Sequence, residues 1–203
     1  MSTTDRIYAL DLEERNNLDP EMTALVKGIE KKYGFTPHFI RLFATDNSRL
    51  RAFMGQYMET MRPDSGLTHL EHEMIALVSA ATNGCFYCTA HHGALLREAV
   101  DGDVMFAEQL SRNYRLAPLS PRHRAMLDFA YLVLTDAEHI SDDDRQTLRD
   151  AGFDDEAIFS VIATAAFYAG ANRIAQATGL KPSPRYFEMY RGSKLKQQAA
   201  SAG

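Results

Sequence analysis

Cysteine is nearly missing from this chain: two occur in 203 residues, and tryptophan is absent altogether. A crosslinked secreted framework is thereby excluded. Thiols this scarce need a chemical reason, because Cys-x-x-Cys spacing in a reducing compartment is more often catalytic or metal-binding than structural. Positive charge is not in excess either. With 22 basic and 27 acidic residues the net charge is −5, and no basic stripe suits a phosphate backbone, so nucleic acid is not expected as a partner. Long apolar runs are lacking too: the longest uncharged stretch, Ala157 to Asn172, is shorter than the 18 or more residues of a membrane span and reads as a buried core helix. No membrane association is expected. The opening Met-Ser-Thr-Thr-Asp-Arg has neither the apolar core of a signal peptide nor an Arg-rich transit pattern, which leads to an expected cytoplasmic location. Finally, no segment alternates with period two for more than a few residues, which excludes a sheet.

What is present is helical from end to end. Hydrophobic residues make up 45% of the chain, enough for a sizeable core. The length suits one domain with peripheral extensions: an N-terminal extension over 1–18, a helical domain over 19–190, and a polar tail over 191–203 expected to be disordered. Asp19-Pro20 reads as an N-cap followed by an N1 proline, with Gly34 as the stop. Pro37 opens a short apolar stretch from His38 to Ala44. Asp46 or Asn47 caps a helix whose face carries Leu50, Phe53, Met54, Tyr57 and Met61 at three- and four-residue intervals, a core stripe. Thr68 with Glu71 forms a capping box ahead of a helix over about 68–83, ended by Asn83-Gly84. The next helix begins at Cys85 or Phe86 and is expected to run to Gly102. Further starts lie at Ser120-Pro121, at Ser141 with Asp144, and at Asp154, while Gly152 closes the penultimate helix. Leu67-Thr68 with Met74-Ile75 is echoed 52 residues later by Leu119-Ser120 with Met126-Leu127, which suggests a duplicated helical unit. The second copy has Ala125 in the place of Glu73 and carries no thiols.

The chemistry concentrates in Glu73, Cys85, Cys88 and His92. Cys85 and Cys88, three apart at a helix start, share a face within disulfide-forming or metal-chelating distance. Unpaired N–H groups and the positive end of the helix dipole favour a thiolate there. Helical side chains lean toward the N-terminus, so His92, four residues after Cys88, overhangs that sulfur. Cys88 is thus the expected attacking sulfur and Cys85 the resolving one, although the dipole alone favours Cys85. Glu73 shares a stripe with Leu77, Ala80 and Ala81, which turns a carboxylate toward the core, where it demands a partner or a proton. Either suits a proton acceptor working through His92. The plainer alternative puts Glu73 in an exposed polar first turn with Glu71 and His72. His91, about 100° round from His92, is the weaker of the two histidines. Tyr87, His91 and His69 are candidate pocket residues, with His72 a further neighbour; His38, His123 and His139 read as incidental.

Glu73-Met-Ile-Ala-Leu-Val-Ser-Ala, then Cys85-Phe-Tyr-Cys88-Thr-Ala-His-His92 with Glu73 twelve residues before Cys85, resembles the alkylhydroperoxidase AhpD-like family of the carboxymuconolactone decarboxylase superfamily, its peroxidase-related subgroup in particular. The similarity extends more loosely through Leu148-Arg-Asp-Ala-Gly-Phe-Asp-Asp-Glu-Ala-Ile and Asn172-Arg173, over about two thirds of the chain. The resemblance implies an all-α helical bundle and a homo-oligomer, whether dimer, trimer or hexamer. It implies reduction of a hydroperoxide by the cysteine pair with a Glu/His proton relay, Cys88 as the peroxidatic sulfur, no cofactor, and a dithiol reductant such as a lipoyl-bearing protein. One departure stands out: Tyr87 occupies the position where the best-studied members carry a histidine. Superfamily members that decarboxylate lactones generally lack the Cys-x-x-Cys pair.

Three rivals remain at this level. Zinc held by Cys85, Cys88, His92 and His91 or His69 lacks the second ligand-rich segment that such sites usually draw on. A thioredoxin-like unit needs a strand before the thiols, where this chain has a capped helix. A redox sensor without turnover needs only the thiols.

Overall fold

A computed structural model describes residues 6–12 and 18–191. Among them are ten α-helices and no strand: α1 Pro20–Tyr33, α2 His38–Phe43, α3 Asn47–Thr60, α4 His69–Thr82, α5 Phe86–Ala99, α6 Val104–Asn113, α7 Pro121–Thr135, α8 Asp142–Asp150, α9 Asp155–Ala177 and α10 Arg185–Glu188. The predicted caps are in place. Asp19, Asp46, Thr68, Ser120, Ser141 and Asp154 each accept a backbone N–H of the first turn, which satisfies donors that a helix start otherwise leaves unpaired. Two elements were not anticipated. Asp103 caps α6, directly after Gly102, and α5 stops at Ala99 rather than Gly102; α10 follows α9, so the helix that Gly152 closes is third from last.

Helix α4 lies at the centre, packed on α5, α6, α7 and α9. Every residue from Glu71 to Ala80 is buried, so its polar residues must find partners inside. Glu71 accepts from the Thr68 N–H and hydroxyl at 2.8 and 3.0 Å and from Arg122 Nε at 2.8 Å. Burial pushes its carboxyl up, but the Thr68 N–H, the Arg122 guanidinium and the Thr68 hydroxyl outweigh that and hold it below its usual value. Arg122 also donates to the Gly152 carbonyl at 2.8 Å, joining the starts of α4 and α7 to the end of α8. The two echoed helices are neighbours: Met74, Ile75, Met126 and Leu127 are all fully buried in one cluster with α6, α8 and α9. A second cluster gathers α1, α2, α3, α5, α10 and part of the N-terminal extension. Tyr8 is buried there, and Ala9 N–H and Lys181 N–H bond to Thr178 and Ile7 carbonyls at 2.8 Å each. Residues 1–5 and 13–17 of the extension and 192–203 of the predicted tail lie outside the described residues.

Helix α9 is the one described helix long and apolar enough to cross a bilayer. Its Ile158, Val161, Thr164, Ala165, Tyr168 and Asn172 are buried within the bundle, the position of a core helix. Gly66 sets the approach of α4 to α9: its φ is +77°, and a Cβ there would stand 2.7 Å from Ala157 Cβ. Gly66→Ala therefore combines left-handed strain with a clash and is expected to destabilise the fold by ~2 kcal/mol or more in urea unfolding.

Candidate active site

The α4–α5 connection is three residues long. Gly84 takes φ +66°, the left-handed conformation for which glycine has no steric penalty, while the Cys85 N–H returns to the Ala80 carbonyl at 2.9 Å. This turn folds α5 back along α4 and makes Cys85 the N-cap of α5, its sulfur accepting the Cys88 N–H at 3.3 Å. Cys85 and Cys88 are disulfide-bonded, Cα to Cα 5.3 Å.

The same reversal brings Glu73 and His92 together: Glu73 Oε2 lies 2.9 Å from His92 Nδ1, with both side chains buried. A carboxylate at Nδ1 favours the tautomer with the proton on that nitrogen and leaves Nε2 as the proton acceptor. The other carboxylate oxygen, Oε1, has no hydrogen-bond partner among the described residues. Glu73 thus belongs to the buried interior and not to an exposed first turn.

Cys88, Tyr87, His91 and His92 all line one cavity of about 240 Å³, closed by α1, α2, α3 and α9. Its wall is largely aromatic, with Phe39, Phe53, Tyr57, Phe167 and Tyr168, and Lys32 stands at its margin. Cys85 does not line it. The Tyr168 ring meets His92 edge to face at 4.6 Å. Burial and the Glu73 charge together raise the Tyr33 phenol to about 12 and lift Tyr57 and Tyr168 above the usual phenol range. The phenols around the site therefore keep their protons at neutral pH.

Tyr87, where the family resemblance led to expectation of a relay histidine, has another task. Pro37 precedes α2 without a side-chain cap, and the Tyr87 hydroxyl accepts the Phe39 N–H at 3.1 Å, 3.5 Å from the Tyr186 hydroxyl. Burial pushes its phenol up to about 12; it braces α2 as a neutral group. His91 packs flat against Tyr87, ring centroids 6.1 Å apart, and edge-on against Tyr186 and His92. Burial, followed by the electrostatic influence of neighbouring His92 and of Lys32, holds His91 well below the usual histidine range. His69 is exposed at the start of α4 and does not line the cavity. His72 is a satisfied core residue between Ser65 Oγ at 2.9 Å and Thr164 Oγ1 at 3.1 Å. Among the described residues no three His, Cys, Asp or Glu side chains converge as metal ligands.

Tyr168 and Lys32 did not stand out in the sequence, and Tyr57 was read only as part of a core stripe. The nearest signal was Tyr168, a phenol inside an otherwise apolar helix, where a buried hydroxyl must find a partner; it donates to Met61 Sδ at 3.3 Å.

The model of the carboxymuconolactone decarboxylase family matches residues 49–103, which span α3, α4 and α5. Two solved structures resemble nearly the whole chain. A peroxidase-related protein from Silicibacter sp. TM1040 is 36% identical, with TM-score 0.88 over 94% of this chain and 100% of its own. An AhpD-core, peroxidase-related protein from Ralstonia eutropha JMP134 is 34% identical, with TM-score 0.86 over 92% and 97%. The debrominase Bmp8, solved with 2,3,4-tribromopyrrole as a cysteine variant, shares the fold at 18% identity, TM-score 0.73, over 89% and 95%. No functionally curated protein matches.

Buried neutral histidines make stability depend on pH. His72, lowered chiefly by burial, and His91 both have folded pKa values below the reference of 6.5. The unfolded chain binds more protons below that pH, so their contribution is complete above pH 6.5 and is lost as pH falls toward the folded values. Each contributes at most about 1.4 kcal/mol per pH unit. His139, raised by its hydrogen bond to Asp136, acts in the opposite sense but is exposed. Urea unfolding is expected to show declining stability from pH 7 to pH 5, and His72→Gln to flatten that decline.

Proposed function

The chain belongs to the AhpD-like branch of the carboxymuconolactone decarboxylase superfamily, and on that footing we propose that it is a thiol-dependent peroxidase that turns over through Cys85 and Cys88. The observation that carries this reading is the division between the two sulfurs: Cys88 shares the aromatic cavity with His92, while Cys85 caps the helix behind it.

In the reduced enzyme, His92 Nε2 takes the Cys88 thiol proton, and Glu73 stabilises the imidazolium from the opposite nitrogen. The Cys88 thiolate attacks the terminal oxygen of a hydroperoxide; the O–O bond breaks, the sulfur becomes a sulfenic acid, and the leaving alkoxide takes the proton from His92 to depart as an alcohol. The Cys85 thiol then attacks the sulfenic sulfur, water leaves, and the Cys85–Cys88 disulfide forms. Two electrons return from a dithiol, which is itself oxidised to a disulfide by exchange; a lipoyl-bearing protein is the proposed donor. The protein is read as a cytoplasmic homo-oligomer needing no metal or cofactor. The pair's spacing at an N-terminus fits rapid disulfide formation. The sensor and zinc readings do not account for a buried Glu–His pair beside Cys88.

Peroxide consumption with dihydrolipoamide tests the proposal. Cys88→Ser is expected to abolish turnover, and Cys85→Ser to stop after one equivalent with a sulfenic acid that dimedone traps. Glu73→Gln and His92→Ala are expected to lower kcat by roughly 10²-fold or more. Full-rate turnover by Cys88→Ser refutes the assignment, and near-stoichiometric zinc that blocks thiol titration supports the metal reading instead.

A further inference from the structure

The cavity that holds Cys88 has one feature the peroxidase chemistry does not use. Among its lining residues, the histidines aside, Lys32 alone carries charge. It lies in the last turn of α1 and is exposed, whereas Cys88 and His92 are buried, so the ammonium marks the mouth and the sulfur the floor. Its stem runs beside Tyr33, with Nζ 5.1 Å from the ring centroid. No ion pair of Lys32 with an acidic residue exists among the described residues, in contrast to Arg51, Arg62, Arg122, Arg149 and Arg191. The positive charge reaches the site, since it contributes to the depression of His91. Between mouth and floor the wall is aromatic and aliphatic. An apolar cavity of about 150 Å³ holds a benzene ring, so about 240 Å³ admits one ring with substituents.

We propose that the substrate is a single-ring arylalkyl hydroperoxide bearing a carboxylate, its ring against Phe39, Phe53 and Phe167 and its carboxylate on Lys32 Nζ. The orientation follows from charge. Glu73 behind His92 repels an anion placed deep, whereas Lys32 attracts one at the mouth, so the carboxylate faces outward and the hydroperoxide group reaches Cys88. Lys32 is a specificity residue that touches substrate away from the reacting atoms. Its neighbour Lys31 is on the same turn but does not line the cavity, and serves as the control.

This inference rests on the peroxidase reading for the reacting group, and its test separates the two. Calorimetry of the disulfide form with 4-isopropylbenzoate and its neutral isostere 4-isopropylbenzamide measures recognition without turnover. The benzoate is expected to bind about tenfold more tightly, the scale of a charge-assisted contact. Lys32→Ala is expected to erase that preference, and Lys31→Ala to retain it. With dihydrolipoamide, the kcat/KM ratio of 4-carboxycumene hydroperoxide to cumene hydroperoxide is expected to fall about tenfold in Lys32→Ala, through KM. Equal binding of acid and amide, or a preference unchanged in Lys32→Ala, overturns the inference even if cumene hydroperoxide is reduced. A benzoate preference that depends on Lys32, with neither hydroperoxide consumed, upholds the recognition of an aryl carboxylate and defeats the peroxidase reading.

Discussion

The Glu73–His92 hydrogen bond is the constraint around which this protein is organised. A carboxylate with essentially no solvent contact on a helix buried all round has a large desolvation cost, and His92 Nδ1 at 2.9 Å is the partner the fold supplies. The second oxygen is left without a donor among the described residues, so the negative charge is undersatisfied, and it is felt by the phenols of Tyr33, Tyr57 and Tyr168. Those rings respond by holding their protons. The outcome is an aromatic chamber into which His92 presents its imidazole beside Cys88.

Placement of that chamber follows from the division of the core. One cluster joins α4 to α6, α7, α8 and α9; the other joins α5 to α1, α2, α3 and the N-terminal extension. The α4–α5 hairpin is the seam between them, and the turn at Gly84 fixes which sulfur faces which way. Cys85 is spent on capping α5, whereas Cys88, one turn in, opens on the cavity. Sequence spacing left two arguments in tension here, the helix dipole favouring Cys85 and the histidine favouring Cys88. The structure distinguishes the two by access, because of the pair only Cys88 lines the cavity.

Much of the fold was written in local chemistry. Asp19, Thr68, Ser120, Ser141 and Asp154 are short polar residues ahead of apolar periodicity, and each caps the helix it announced. The meeting of Glu73 with His92 was legible because a carboxylate on an apolar stripe needs a partner and the neighbouring helix had a histidine to offer. Other features depend on distant segments. Tyr87 was a candidate pocket residue at a position where the resemblance implied a histidine, and its hydroxyl also serves α2, 48 positions earlier, where Pro37 cannot cap. His69 and His72 are three apart, yet one is in solvent and the other is enclosed by Ser65 and Thr164; only the packing of α9 distinguishes them. The start of α6 was readable in Gly102-Asp103 and was obscured by extending α5 too far. Lys32 was one lysine among several until α1 came to rest on α3 and placed it in the cavity lining.

Arg97 ties the last described helix to α5: its guanidinium is buried and donates to the carbonyls of Tyr186 at 2.5 Å and Met189 at 3.1 Å. Tyr186 in turn rests against Tyr87 and His91. A four-residue helix has almost no intrinsic persistence, so α10 depends on this latch for its place on α5. Loss of the Arg97 contacts is therefore expected to uncover the Tyr87 and His91 rings that Tyr186 now covers.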